Sequence, residues 1–143
     1  MPLPVWMLLG FATWTVLLLL ATVGIYRWRR ILTGRVPISE FQANQVEGKD
    51  WYKRSMRAHA NCIENLPVFG AIVFALYAAD VANATVNVLA VAILAARIMQ
   101  SLVHVCLVQT NTVASVRFGF FFAQIVCFLW LIAIIVANLG SSA

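Results

Sequence analysis

Four long apolar stretches alternate with polar segments along this chain. They cover residues of about 3–26, 57–79, 84–109 and 114–138. Each is near or above the roughly 20 residues that an α-helix needs to cross the hydrocarbon core of a bilayer. Since a spanning segment has to satisfy its own backbone hydrogen bonds, we predict an all-α integral membrane four-helix bundle that forms a single domain over residues 1–143.

The composition supports this prediction and excludes a soluble globule. Hydrophobic residues make up 63% of the chain, charged residues only 10%, and the mean hydropathy is +0.90, whereas soluble domains carry about 25% charged residues. The first apolar stretch differs from a signal peptide, because no charge precedes it and it exceeds the roughly 7–15 residues of a secretory core. We expect it to be a retained transmembrane helix. Three cysteines fall in apolar stretches without metal-ligand spacing, so we expect no metal site.

The long connection between the first two stretches, residues 27–56, is strongly basic. Seven of the ten basic residues of the chain lie in it: Arg27, Arg29, Arg30, Arg35, Lys49, Lys53 and Arg54. The positive-inside rule predicts that this loop faces the cytoplasm. We attribute the net charge of +5 to membrane orientation and to anionic membrane lipid rather than to nucleic acid.

Polar side chains recur at helical spacing inside the apolar stretches. On the second helix Arg57, Asn61 and Glu64 follow the spacing i, i+4, i+7 and share one face, whereas His59 points elsewhere. The third helix repeats this spacing, and the fourth carries one arginine near its start. The polar positions of these two helices are Arg97, Gln100, Ser101, His104, Arg117 and Gln124.

An arginine as deep as Arg97 is costly in hydrocarbon, so it should face a partner or a wet cavity. One interpretation is a closed ion pair with Glu64 that joins two helices. The other is a polar pocket, open to the cytoplasm, that both residues line. Three arginines against one glutamate leave an excess of positive charge on these helices. Because guanidinium groups pair with carboxylates and phosphates, that excess favours an anionic guest.

The segment "RAHANCIENLPVFG", residues 57–70, resembles the second-helix signature of the MAPEG family, the membrane-associated proteins in eicosanoid and glutathione metabolism. The chain length, the four helices, the long first loop and the order of Arg97 and Arg117 are also similar to that family. The resemblance implies a homotrimer with a glutathione site between neighbouring subunits near the cytoplasmic face. It covers essentially the whole chain.

The resemblance also implies roles for individual residues. Arg57, Asn61 and Glu64 would hold glutathione. The others that it assigns to the glutathione site are Arg54, His59, Arg97 and His104. Arg117 matches the fourth-helix arginine that lies by the glutathione sulfur, which makes it the candidate catalytic residue.

The function implied is a glutathione transferase or peroxidase that acts on lipophilic electrophiles or lipid hydroperoxides from the bilayer. The chain departs from the catalytic pattern of the family, because His104 replaces a tyrosine and Phe118 and Phe121 lack the hydroxyls found near the fourth-helix arginine. This departure favours an alternative, a glutathione- or anion-binding membrane protein without significant turnover. A small transporter is less favoured, because no inverted repeat is present.

Overall fold

The computed structural model describes residues 1–41 and 49–141, and four helices in it are long and apolar enough to span a membrane. They are Leu3–Leu32, Asp50–Ala78, Ala84–Cys106 and Asn111–Ser141, here called the first to the fourth helix. A short 3₁₀ turn at Ile38–Glu40 follows the first helix, and no strand occurs in the described ranges. These helices confirm the predicted all-α membrane bundle. Residues 42–48 of the predicted 27–56 loop lie outside the described residues.

Two helices extend well beyond the apolar stretches that predicted them. The first was expected to end near 26 and ends at Leu32, and the second was expected to begin near 57 and begins at Asp50. Hydropathy marks the part of a helix that contacts lipid, not where the helix ends. Outside that part, the two helices support each other through side-chain contacts, and Asp50 in the first turn complements the helix dipole. The third helix ends three residues earlier than expected. The fourth begins three residues earlier and ends three residues later.

The first helix contains a π-helical segment, Leu19–Gly24, between α-helical parts at Leu3–Leu18 and Ile25–Leu32. Beyond it, Arg27 donates from Nε to the hydroxyl of buried Tyr52 on the second helix at 2.8 Å. The rings of Tyr26 and Tyr52 stack at 4.3 Å between centroids. These contacts fix the loop ends of the first two helices to each other.

The second and third helices each pack against all three of the others, and the contact between the third and fourth helices is the most extensive. Aromatic rings in the core connect the first, second and fourth helices. The ring centroid of Phe69 on the second helix lies 5.8 Å from that of Phe11 on the first and 6.1 Å from that of Phe128 on the fourth. The first and third helices pack closely at Gly10, where an added Cβ would lie 3.0 Å from Cδ2 of Leu94. Large apolar side chains cover the outer faces of all four helices, as expected of surfaces in contact with lipid.

Candidate functional site

A groove of about 690 Å³ opens between the second, third and fourth helices, towards the end where the second helix begins. Its lining residues are Arg57, Ala60, Asn61, Glu64, Gln100, His104, Ala114, Arg117, Phe118 and Phe121. Five of the eight residues predicted from the sequence as site residues therefore meet in one place. We call this the polar groove.

The second helix supplies one wall of the polar groove through the predicted i, i+4, i+7 face. Arg57 and Glu64 are exposed on it, and Asn61 between them is half-buried. Nδ2 of Asn61 lies 3.2 Å from Nε2 of His104 on the third helix. Nδ2 of Asn65 donates to the carbonyl of Asn61 at 2.8 Å, which orders the same turn. This wall is thus fixed to the third helix at its midpoint, with one charged group on either side.

The fourth helix supplies Arg117, and two glutamines hold its turn. Gln100 on the third helix donates from Nε2 to the carbonyl of Arg117 at 3.2 Å. Gln124 donates to Oε1 of Gln100 at 3.1 Å and to the carbonyl of Phe120 at 3.0 Å. Nε of Arg117 is buried and has no hydrogen-bond partner among the described residues. A guest in the polar groove could accept a hydrogen bond from it.

The other side of the groove is apolar. Phe118 and Phe121 are both exposed, and their ring centroids are 6.5 Å apart. No serine, threonine or tyrosine is among the residues that line the groove. Its hydrogen-bonding capacity towards a guest therefore rests on two arginines, a glutamate, two amides and a histidine.

Arg97 does not reach the polar groove. Its side chain is fully buried, and Cζ lies 5.6 Å from the ring centroid of Phe11 on the first helix. Its Nε and Nη2 atoms have no hydrogen-bond partner. Within the described parts of the chain no ion pair joins Arg97 to Glu64, which is exposed on the second helix. Neither predicted arrangement occurs, because the third helix turns Arg97 inward while Glu64 faces outward.

The remaining two predicted residues lie beside the groove or away from it. Arg54 lines a smaller cavity of about 270 Å³ that shares Arg57 with the polar groove. His59 is half-buried and lies next to the backbone of Thr15 on the first helix. The spacing had predicted that His59 would leave the shared face, and it does.

The site prediction left out Gln100, which lines the groove, and Gln124, which bonds to it. In the sequence Gln100 lies beside the third-helix stripe and Gln124 shares a face with Arg117, a signal too general to assign a role. Their role depends on how the third and fourth helices face each other, which a single helix does not encode.

Residues 4–137 match a protein-family model described as the MAPEG family. Comparison with curated proteins and with solved structures gave no match.

Proposed function

Because the chain belongs to the MAPEG family, and is thus a multi-pass membrane protein of eicosanoid and glutathione metabolism, we propose that the polar groove binds glutathione and activates its thiol. The activity proposed is that of a glutathione transferase, with peroxidase activity towards lipid hydroperoxides. The observation that carries the proposal is the meeting of Arg57, Glu64 and Arg117 in one groove, with a donor of Arg117 left unpaired.

The groove complements glutathione in charge and in size. The tripeptide carries two carboxylates and one ammonium group, and the groove offers two guanidinium groups and one carboxylate. Arginine can hold a carboxylate through two parallel hydrogen bonds. The volume of about 690 Å³ lies within the roughly 300–1,000 Å³ typical of small-molecule sites.

Arg117 is the residue proposed to act on the thiol. A thiol is mostly protonated near neutral pH, and a neighbouring cation lowers its pKa, so that more of the nucleophilic thiolate is present. In the transferase reaction the thiolate sulfur bonds to an electrophilic carbon as the leaving group departs. In the peroxidase reaction two glutathiones reduce one hydroperoxide to an alcohol and water and form a disulfide. Phe118 and Phe121 offer an apolar approach from the bilayer.

Glu64 gives a reason to propose a homotrimer with the site between subunits. Its side chain is exposed on a spanning helix of the single chain. A carboxylate facing hydrocarbon is costly, so a neighbouring copy together with the bound tripeptide is the proposed cover. The basic segment 27–56 supports an orientation with the groove open to the cytoplasm, where glutathione is abundant.

A second candidate is a glutathione- or anion-binding membrane protein without significant turnover. The observation in its favour is that no hydroxyl group lines the polar groove among the residues that the structure describes. Stabilisation of a thiolate would then depend on Arg117 without a hydroxyl donor at the sulfur.

The experiment that separates these candidates is titration of glutathione into the detergent-purified protein while the ultraviolet absorbance of the thiolate is followed. We expect a thiolate band at neutral pH in the wild type and in Arg35→Ala, an arginine variant outside the groove. Arg117→Ala should lose at least about nine-tenths of the band, since a nearby cation shifts a pKa by roughly 1–3 units. Glu64→Ala should weaken binding instead.

Each outcome assigns a function. Binding without a thiolate band in the wild type would favour the second candidate. An equal loss of the band in Arg35→Ala and Arg117→Ala would contradict the role of Arg117. Absence of any glutathione binding would contradict the first candidate and limit the second to a different anion.

A further inference from the structure

A second cavity, also of about 690 Å³, lies at the loop ends of the first two helices. Its lining residues are Ile25, Tyr26, Arg29, Arg30, Thr33, Arg35, Lys49 and Trp51. It shares no residue with the polar groove. We call it the basic cavity.

Among the residues that the structure describes, four cations and no carboxylate line the basic cavity. Like charges held around one space repel each other, and this repulsion destabilises the arrangement unless an anion occupies the space. Arg29, Arg35 and Lys49 are exposed, so they can turn towards a guest at little cost. The cavity is therefore complementary to a compact anion.

Arg30 is the one cation of the cavity that the protein holds in place. It donates from Nη1 to the Tyr26 hydroxyl at 2.6 Å, and its Cζ lies 5.4 Å from the Tyr26 ring centroid. Tyr26 in turn stacks on Tyr52, whose side chain is only 2% exposed. Nε of Arg30 is buried and has no hydrogen-bond partner within the described ranges 1–41 and 49–141. A positioned guanidinium with a free donor is the arrangement that binds phosphate oxygens.

The position of the basic cavity along the membrane normal indicates the source of its anion. Ile25 and Tyr26 end the apolar stretch of the first helix, and Arg29 and Arg30 follow within about 6 Å along the helix axis. Trp51 and Tyr26 are residue types that concentrate at the level of lipid headgroups. Basic pockets beside the end of a spanning helix bind anionic headgroups.

We propose that the basic cavity is a binding site for a phosphate group, and that its occupant is the headgroup of an anionic phospholipid. The phosphate contacts Arg30 and is enclosed by Arg29, Arg35 and Lys49. The acyl chains leave past Ile25 into the bilayer. Glutathione binding in the polar groove does not require this lipid.

The test uses the full chain purified in a neutral detergent, with bound lipid counted by native mass spectrometry. Dioctanoyl phosphatidylglycerol is compared with dioctanoyl phosphatidylcholine, which has the same chains and a phosphate but no net charge. Glycerol 3-phosphate is the soluble probe. Arg29→Gln and Arg35→Gln each remove one cation from the cavity. Lys53→Gln removes an exposed cation at the same end of the second helix but outside the cavity, and is the matched control.

We expect wild-type protein to bind one phosphatidylglycerol per chain, at least about fivefold more tightly than phosphatidylcholine. In Arg29→Gln and in Arg35→Gln the affinity for phosphatidylglycerol should fall about fivefold, the typical effect of one basic residue near a membrane surface. Lys53→Gln should stay within about twofold of the wild type. Glutathione affinity, measured on the same samples, should not change in any of the three variants.

Several outcomes would overturn the assignment to a lipid. Equal binding of the two lipids, or an equal loss in Lys53→Gln and Arg29→Gln, would show that no defined headgroup site exists. A loss of glutathione affinity in Arg29→Gln would assign the cavity to glutathione. Glycerol 3-phosphate that binds as tightly as phosphatidylglycerol would support the phosphate site and assign it to a soluble phosphate ester. Failure of wild-type protein to bind glutathione would contradict the proposed activity and leave the lipid result standing.

Discussion

Asn61 and His104 meet across the polar groove, with Nδ2 of the amide 3.2 Å from Nε2 of the ring. They lie on the second and third helices, 43 residues apart in the chain. The amide nitrogen is a donor, so Nε2 of the ring accepts. Nδ1 of the ring is buried and has no hydrogen-bond partner within residues 1–41 and 49–141. The contact thus joins two helices at the wall of the groove.

A double-mutant cycle on this pair should give a positive coupling energy. We expect Asn61→Ala and His104→Ala to be coupled by about 0.6–1.7 kcal/mol, the range measured for hydrogen bonds between membrane helices. Unfolding of the detergent-solubilised protein in increasing sodium dodecyl sulfate supplies the free energies. Asn65→Ala in place of Asn61→Ala is the control, because Asn65 bonds within its own helix. Additive losses for Asn61 and His104 would show that the contact contributes nothing to stability.

Replacing Arg97 with methionine should leave the protein as stable as before or stabilise it by up to ~2 kcal/mol. The guanidinium is fully buried with two unpaired donors, and an apolar side chain of similar length removes that cost. The same unfolding assay measures the effect. Phe11→Ala removes a core ring beside Arg97 and should lower the free energy of unfolding by about 3–5 kcal/mol. A loss above ~2 kcal/mol in Arg97→Met would mean that Glu64 or another group stabilises the cation.

Arg97→Met should also lower the affinity for glutathione less than Arg117→Ala does, because Arg97 does not line the polar groove. Isothermal titration calorimetry on the two variants makes the comparison. A larger effect at Arg97 would place the reactive end of glutathione deeper than the groove extends.

Tyr52→Phe should destabilise the loop end of the bundle by about 1–2 kcal/mol. It removes the acceptor of a charge-assisted hydrogen bond from Arg27, at a site from which water is largely excluded. Tyr26→Phe is the matched change, since it removes the hydroxyl that accepts from Arg30 at a half-buried position. There water can replace the lost partner, so we expect less than ~0.5 kcal/mol. Equal losses of stability in the two variants would indicate that water is excluded equally from both hydroxyl sites.

Gly10→Val should cost about 1–3 kcal/mol through overpacking between the first and third helices. The Cβ alone would lie 3.0 Å from Cδ2 of Leu94, so the Leu94 side chain would have to move, and the two γ-methyl groups of valine add further bulk. Gly140→Val near the end of the fourth helix meets nothing within 4 Å and should stay within about 0.5 kcal/mol. Thermal unfolding in detergent compares the two. If Gly10→Val did not lower the stability, the first helix could move outward at no cost in stability.

Hydropathy and spacing predicted a large part of this molecule from the sequence. Each spanning helix follows from one apolar stretch, because lipid leaves a segment of that length no other stable form. The face shared by Arg57, Asn61 and Glu64 follows from the helical repeat alone. Both are properties of single segments, and a single segment is what a sequence shows directly.

The features that the sequence did not predict depend on how one helix faces another. Arg97 and His104 share a side of the third helix, yet Arg97 lies in the core and His104 reaches the polar groove. The bond between Arg27 and Tyr52, and the stacking of Tyr26, join residues across the loop. No periodicity within either helix specifies such a pair. The assignment to glutathione came from a resemblance, not from the spacing of the charges.

The π-helical segment at Leu19–Gly24 has a consequence for which changes in length this chain can tolerate. A π turn holds about one more residue than an α turn, so removing one residue would let α-helical bonding run through the segment. Five α-helical residues turn the chain by about the same angle as the six π-helical ones, so Ile25–Leu32 would keep its orientation. Arg27 would still meet Tyr52, and Arg30 would stay in the basic cavity. A single-codon deletion here would therefore leave the arginines in place, whereas the same deletion within the α-helical part Leu3–Leu18 would turn the helix on its two sides by about 100° relative to each other.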